Sequence, residues 1–312
     1  MLDDLFDDEG LRRVLGAALG MRALRLGGTD ERAVWAFERK RYGLRQLELG
    51  PLGLYCAVAD APAEVDGLVA LADRAQRSAS RVRINVNPLD RRGGEIARRT
   101  ARCGFTTESN ETHLLPLRGS IDDLRAGYHA TKRHQVQRRA RLASTIVQAD
   151  CATQLDDYAE VYGASIVRWG LDGPTYPRSL FDALLACPSV RIWMNYVEGR
   201  LACAMIVLRC RRYALYWQGV SRNDDGQKAA YPMVRLMDTV LQDLLAAGIP
   251  YLNLGASDGL PTVRRFKEEF GARPASYPAL VYESPLWRAL RGARAALFRT
   301  SRRPSLPSVG QR

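Results

Sequence analysis

The stretch at residues 251–272, YLNLGASDGLPTVRRFKEEFGA, constrains this chain more than any other. Tyr251, Leu252 and Leu254 read as a short apolar strand, and Gly255 and Gly259 bracket a turn through Ser257 and Asp258. A basic helix follows, carrying Arg264, Arg265 and Lys267. A strand that turns over glycines into a helix exposes backbone N–H groups at the mouth of a sheet, which suits an anionic ligand.

The chain has 312 residues, more than one hydrophobic core usually organises, so two domains are expected. Apolar residues make up 46% and charged residues 26%, an ordinary globular balance. The formal charge is +12 and rests on arginine, since lysine occurs only at Lys40, Lys132, Lys228 and Lys267. Arginine's planar fork suits phosphate and carboxylate, although a G+C-rich genome favours it equally. Such a charge attracts polyanions: tRNA, phospholipid head groups or nucleotide-linked sugars.

Six cysteines lie scattered without a CxxC pair, several in apolar runs such as LACAMIVLRC, and read as small buried hydrophobes in a reducing compartment. Three histidines without ligand spacing imply no metal. The acidic start MLDDLFDDEG and the lack of an apolar run of about 18 residues point to the cytoplasm.

Along the first half, GMRALRL, AVWAFERKRYG and LRQLELGPLGLYCAVAD read as extended, Pro62 opens a helix, RVRINVNP is a strand, EIARRTARCGF a helix ended by Gly104, and THLLPL a strand. A basic helix is expected over 121–143, either a solvated linker face or the lining of a cleft between domains. The second half then gives a strand, two helices, a three-stranded meander through VRIWMNYV, RLACAMIVLRC and RYALYWQGVS, and the strongly amphipathic helix YPMVRLMDTVLQDLLAAG. The strand and basic helix of residues 251–272 come next, then RPASYPALVYES as a strand pair or extension. The arginine-rich tail reads either as a helix packed on its domain or as one lying on an anionic membrane.

That element order resembles the GNAT acyltransferase fold. The basic RHQVQRRAR helix, DDYAEVYGASIVRWG, the PTYP turn and the closing YLNLGAS…GLPTVRRFKEEFGARP resemble the FemAB-like, BioF2-like group, which has two such domains in tandem. The resemblance implies an α/β chain with an α+β mixed sheet, divided into GNAT-like domains at 1–118 and 119–284, the second more complete, and a basic tail at 285–312. It implies transfer of an acyl or aminoacyl group from acyl-CoA or aminoacyl-tRNA to an amine of an envelope or polysaccharide precursor, in the cytoplasm or peripherally at the inner face of the membrane.

On that likeness Lys267, in the Phe266-Lys267 pair, stands nearest the transferring centre or the donor's phosphate, with Arg138, Tyr176 and Tyr231 at the cleft. The fold's donor loop falls at SRNDDGQKAAYP, where only Gly226 remains of the spaced glycines, which counts against acetyl-CoA as donor.

No Ser-His-Asp or Cys-His arrangement is legible, which favours direct attack of the acceptor amine. Asp258 is a candidate base for that amine, or with Ser257 a cap on the following helix. Trp217 is either core or a wall of the acyl site. Lys267→Ala is expected to abolish transfer with the thermal transition nearly unchanged. The rival reading is a non-catalytic module that holds RNA or an anionic glycan in the basic cleft.

Overall fold

The computed structural model describes residues 1–28, 33–59, 61–137, 144–222, 231–257 and 259–301. Among them the strands form one mixed sheet of eleven, in the order β1-β2-β3-β4-β11-β5-β10-β9-β8-β7-β6. Helices lie on both of its faces.

A helix that the sequence pattern did not announce comes first, α1 (Glu9–Leu19). Asp8 caps it by accepting from Leu11 N at 3.0 Å, and the same carboxylate accepts from Ser189 N and Oγ at 2.9 and 2.6 Å. Leu5, Phe6, Leu11 and Leu15 pack into one core with Tyr158, Phe181 and Leu184, so the N-terminal segment is buried against the second half of the chain.

Strands β1 (Arg22–Gly28), β2 (Ala33–Arg41) and β3 (Leu44–Leu49) form a meander, turned between β2 and β3 by Tyr42 and Gly43, both at positive φ. Helix α2 (Pro62–Ser78), β4 (Arg81–Asn85), α3 (Gly93–Ala101) and β5 (Thr106–Pro116) follow. Alternation along β4 sends Val82 and Ile84 under α2 and α3, where they meet Val65, Leu68 and Ile96. Arg81, Arg83 and Asn85 therefore line the opposite face, together with Gln46 and Glu48 of β3. That face is polar.

The helix expected over 121–143 is instead two short ones, α4 (Ile121–Ala126) and α5 (Ala130–Gln137), with residues 138–143 outside the description. The break has a packing cause: the chain turns after Gly127 to bury Tyr128, whose ring meets Phe270 at 5.0 Å and whose hydroxyl lies 3.2 Å from Asp238. Next come β6 (Ser144–Gln148), α6 (Ala152–Arg168), α7 (Arg178–Leu185), and the antiparallel meander β7 (Val190–Val197), β8 (Arg200–Arg209) and β9 (Ala214–Ser221). Helix α8 (Pro232–Ala246) buries Leu236, Met237, Val240, Leu241 and Leu244 against this sheet, and a Leu→Ala change there costs about 2–5 kcal/mol.

The chain closes with β10 (Tyr251–Asn253), α9 (Pro261–Glu269), β11 (Arg273–Glu283) and α10 (Pro285–Ser301). β11 is one strand of eleven residues, not a pair, and lies between β4 and β5, antiparallel to both. A strand from the end of the chain thus completes the sheet of the first half.

Candidate active site

β9 and β10 run parallel but pair only at Leu252↔Ala214 and Asn253↔Leu215. β10 then stops, while β9 runs on to Ser221 through a register shift opposite Ile206 and Val207 that leaves Trp217 without a partner. The parted strands leave a cavity of about 560 Å³, lined from β9 by Trp217, Gln218 and Gly219, and from α9 by Phe266 and Lys267. Tyr176 forms another wall, its ring 5.1 Å from that of Trp217. The Trp217 indole donates to Leu52 O at 3.0 Å, so this wall is tied to a loop of the first half.

The exit of β10 is built by side chains. Asn253 Oδ1 accepts from Thr112 Oγ1 at 2.6 Å and from Gly255 N at 2.8 Å, which starts the turn. Gly255 takes φ +71°, open to glycine at little cost. The Gly255 and Ala256 carbonyls then point back at α9, where Lys267 Nζ donates to them at 2.8 and 2.6 Å. Lys267 is 3% exposed. Its charge is held close to the cavity floor, where low dielectric strengthens it.

His113 lies below this lysine on β5, a residue that the motif reading passed over because nothing in its sequence neighbourhood marks it. It is fully buried, with Nε2 3.7 Å from Glu268 Oε1, and its backbone carbonyl accepts from Leu254 N at 2.8 Å. Burial first, and then the charge of Lys267, push its pKa below the ordinary value, so the imidazole is neutral at neutral pH.

A second cavity, about 770 Å³, opens on the other side of the same turn. Ala256, Ser257 and Leu260 line both cavities. The second is polar: Glu48, Arg83 and Asn85 come from the open face of β3 and β4, Asn110 and Glu111 from β5, and Tyr277 from β11. The Ser257 hydroxyl is buried at the junction and has no hydrogen-bond partner among the described residues.

Five of the eight candidate residues thus meet around one cavity: Tyr176, Trp217, Ser257, Phe266 and Lys267. Tyr231 does not line it. It takes left-handed geometry, φ 47°, just before α8, and packs against that helix's core. Arg138, Asp258 and the donor-loop residues 223–230 lie outside the described residues.

The basic helix contributes differently from the cleft reading. Lys132 is buried, pairs with Glu269 at 3.1 Å and stands 5.0 Å over the Phe266 ring, so it braces α9. Burial works against it, but hydrogen bonds from Arg265 and Lys132 hold the Glu269 carboxyl below its usual pKa. Arg168, which the motif reading also missed, reaches the rim by donating to Ser221 O at 2.7 Å.

Among the described residues no cluster of His, Cys, Asp or Glu could hold a metal ion, and no helix is long and apolar enough to cross a membrane.

These features define a mixed α/β protein with a candidate cleft where its central strands part, at the carboxyl end of β10. Residues 130–268 match the family model of the acetyltransferase (GNAT) domain, and that segment has the GNAT fold. Among solved structures it is similar to FemX, with a TM-score of 0.73 at 14% identity, covering 90% of this chain and 93% of that one. It is also similar to the DUF2156 C-terminal domain of a candidate lysylphosphatidylglycerol synthetase from Agrobacterium fabrum (TM-score 0.59, 13% identity, 95% and 93% covered). L-PGS from Bacillus licheniformis is a third such structure (TM-score 0.54, 16% identity, 90% of each chain). At these identities the likeness is one of fold. No curated protein matches the chain in sequence.

Proposed function

We propose that the protein is an N-acyltransferase that moves an acyl or aminoacyl group onto an amine of a cell-envelope or polysaccharide precursor. The observation that carries this reading is the meeting of two cavities at Ala256, Ser257 and Leu260, with the buried Lys267 ammonium behind the junction. The first cavity is lined from residues 168–267 alone, and the second adds residues of 48–111 from the first half.

In this reading the donor's acyl group lies against Tyr176, Trp217 and Phe266, and its carbonyl carbon comes to the junction. The acceptor enters through the polar cavity, where Glu48 and Glu111 attract an ammonium group and take its proton. The freed amine attacks the carbonyl. A C–N bond forms, the carbonyl electron pair moves to oxygen, and on collapse the C–S bond of acyl-CoA or the ester C–O bond of aminoacyl-tRNA breaks. The N–H proton lost by the attacking nitrogen leaves with the thiol or hydroxyl, and the proton taken by the carboxylate passes to solvent.

Lys267 lowers the energy of the transient oxyanion through its charge, and the Ser257 hydroxyl supplies a donor at the junction. Holding both reactants at one point supplies much of the rate without a covalent enzyme intermediate. Likeness to a candidate synthetase whose name joins lysine to a lipid supports an aminoacyl donor.

The test incubates the purified protein separately with acetyl-CoA and with a charged-tRNA pool, each over a panel of amino sugars and amine-bearing precursors, and reads products by mass. An acylated amine that requires one donor, and that disappears in Lys267→Ala, is the expected result. No product from any combination would sink the enzyme reading, and full activity of Lys267→Ala would sink the role of that residue.

A further inference from the structure

Arg39, Gln46, Arg81 and Glu283 form one straight row across β2, β3, β4 and β11, each the register partner of the next. They stand on the open sheet face, opposite α2 and α3. Helix α10 crosses the end of this row and roofs it with Trp287, Leu290 and Arg291, enclosing with Arg41 and Tyr42 a cavity of about 380 Å³.

Its electrostatics are one-sided. Four guanidinium groups line it, from Arg39, Arg41, Arg81 and Arg291, against the single carboxylate of Glu283. That carboxylate lies 3.6 Å from Arg81 and 3.1 Å from Arg291, so it is already neutralised. Two further donors in the wall, Gln46 Nε2 and Trp287 Nε1, are buried and have no acceptor among the described residues. Gln46 is 3% and Trp287 8% exposed. Buried N–H groups without an acceptor are rare because water has been stripped from them with nothing in exchange. Arginine forks beside uncharged N–H donors fit an anion with several acceptor oxygens at tetrahedral spacing. The rim is apolar: Tyr42 and Leu290, which line the cavity, are 61% and 41% exposed.

We propose that this cavity binds a phosphate group carried on an amphiphilic molecule, the oxygens meeting the arginines, Gln46 and Trp287, and the apolar part resting on Tyr42 and Leu290. Glu48 and Arg83 belong to the next row along the same strands, about 7 Å on. A molecule anchored here therefore extends along the open face toward the polar cavity at Ser257. That last step rests on the acyl-transfer reading; the phosphate site does not.

Calorimetric titration of the full chain with inorganic phosphate, and separately with dihexanoyl phosphatidylglycerol below its micellar concentration, tests the site. Saturable binding is expected, weakened about tenfold in Arg41→Ala and in Trp287→Phe, which keeps the ring and removes the N–H. Unchanged thermal unfolding of both variants shows that the loss is local. Tighter binding of the phospholipid assigns the site to a lipid head group, and equal binding assigns it to the phosphate of a soluble molecule. No saturable binding of either probe, or binding that both variants leave intact, overturns the site. Binding that persists in a protein without transferase turnover would sink the acyl-transfer reading and leave this one standing.

Discussion

Lys267 Nζ lies 2.6 Å from the Ala256 carbonyl oxygen and 2.8 Å from that of Gly255, so the cation that faces the cavity also fixes the turn dividing the two cavities. One side chain thus has a structural and an electrostatic part. This changes the expectation that Lys267→Ala leaves the thermal transition nearly unchanged. Removing a buried ammonium strands two carbonyls, at a cost of about 1–3 kcal/mol. We predict a melting temperature lower by several degrees, at roughly 2–4 °C per kcal/mol, and a fall in turnover of about a hundredfold or more. Calorimetry and kcat/KM measured on the same preparation check both. Lys267→Arg, which keeps the charge, separates the two parts: it restores stability more fully than rate if position matters to the chemistry.

Trp217 and Leu52 form the corresponding tie between the halves. The indole N–H donates to Leu52 O at 3.0 Å, and Leu52 itself sits at φ 58°. Trp217→Phe keeps most of the packing against Tyr176 and removes this bond, so it is predicted to destabilise by about 1 kcal/mol in urea unfolding. Trp217→Ala also opens the cavity wall and is predicted to cost more activity than Trp217→Phe. Equal kcat/KM values for the two variants would place Trp217 outside the donor site.

What was legible in the sequence followed its strong periodicities and punctuation. Apolar residues at helical spacing marked α8, and extended runs with short separators marked β7, β8 and β9. The segment at 251–272 yielded both its elements and Lys267, because glycines and a basic helix leave local marks. Burial of Lys267 was not legible, since nothing near it in sequence says that its partners are carbonyls eleven and twelve residues earlier. The helix expected over 121–143 failed for a similar reason: Tyr128 breaks it by entering a core made with Phe270 and Asp238, contacts 110 or more residues away. His113, the polar cavity and the Arg39–Gln46–Arg81–Glu283 row depend on register across the sheet, which a single chain of letters does not carry.

Gly219 gives a sharper test of the cavity wall. A Cβ there would fall 1.7 Å from the Tyr216 hydroxyl, so Gly219→Ala must push the tyrosine ring aside. Overpacking of this kind costs about 1–3 kcal/mol. Both residues line the cavity, so activity is predicted to fall further than stability does. In a double-mutant cycle with Tyr216→Leu the two losses are predicted to be less than additive, because the obstacle is the ring itself. Strict additivity in urea unfolding would show that the clash is relieved elsewhere.

His113 makes the pH dependence specific. Its pKa is pushed down by burial and then by Lys267, so the unfolded chain, with an ordinary histidine value near 6.5, binds a proton more readily than the folded one. The stability held by the neutral imidazole is therefore complete above about pH 6.5 and is lost as the pH falls from there toward the depressed folded value. Glu268, Glu269 and Asp8 are also held below their usual values, Glu268 mainly by its hydrogen bond from Arg264, and the others by hydrogen bonds that outweigh burial. Their contributions disappear only at lower pH, in the carboxylate range. Urea unfolding between pH 5 and 8 is predicted to show stability rising with pH up to about 6.5. His113→Gln, with a side chain that does not titrate, is predicted to flatten that segment while leaving the acidic limb in place. An unchanged slope in the variant would mean that the protonation measured there belongs to another group.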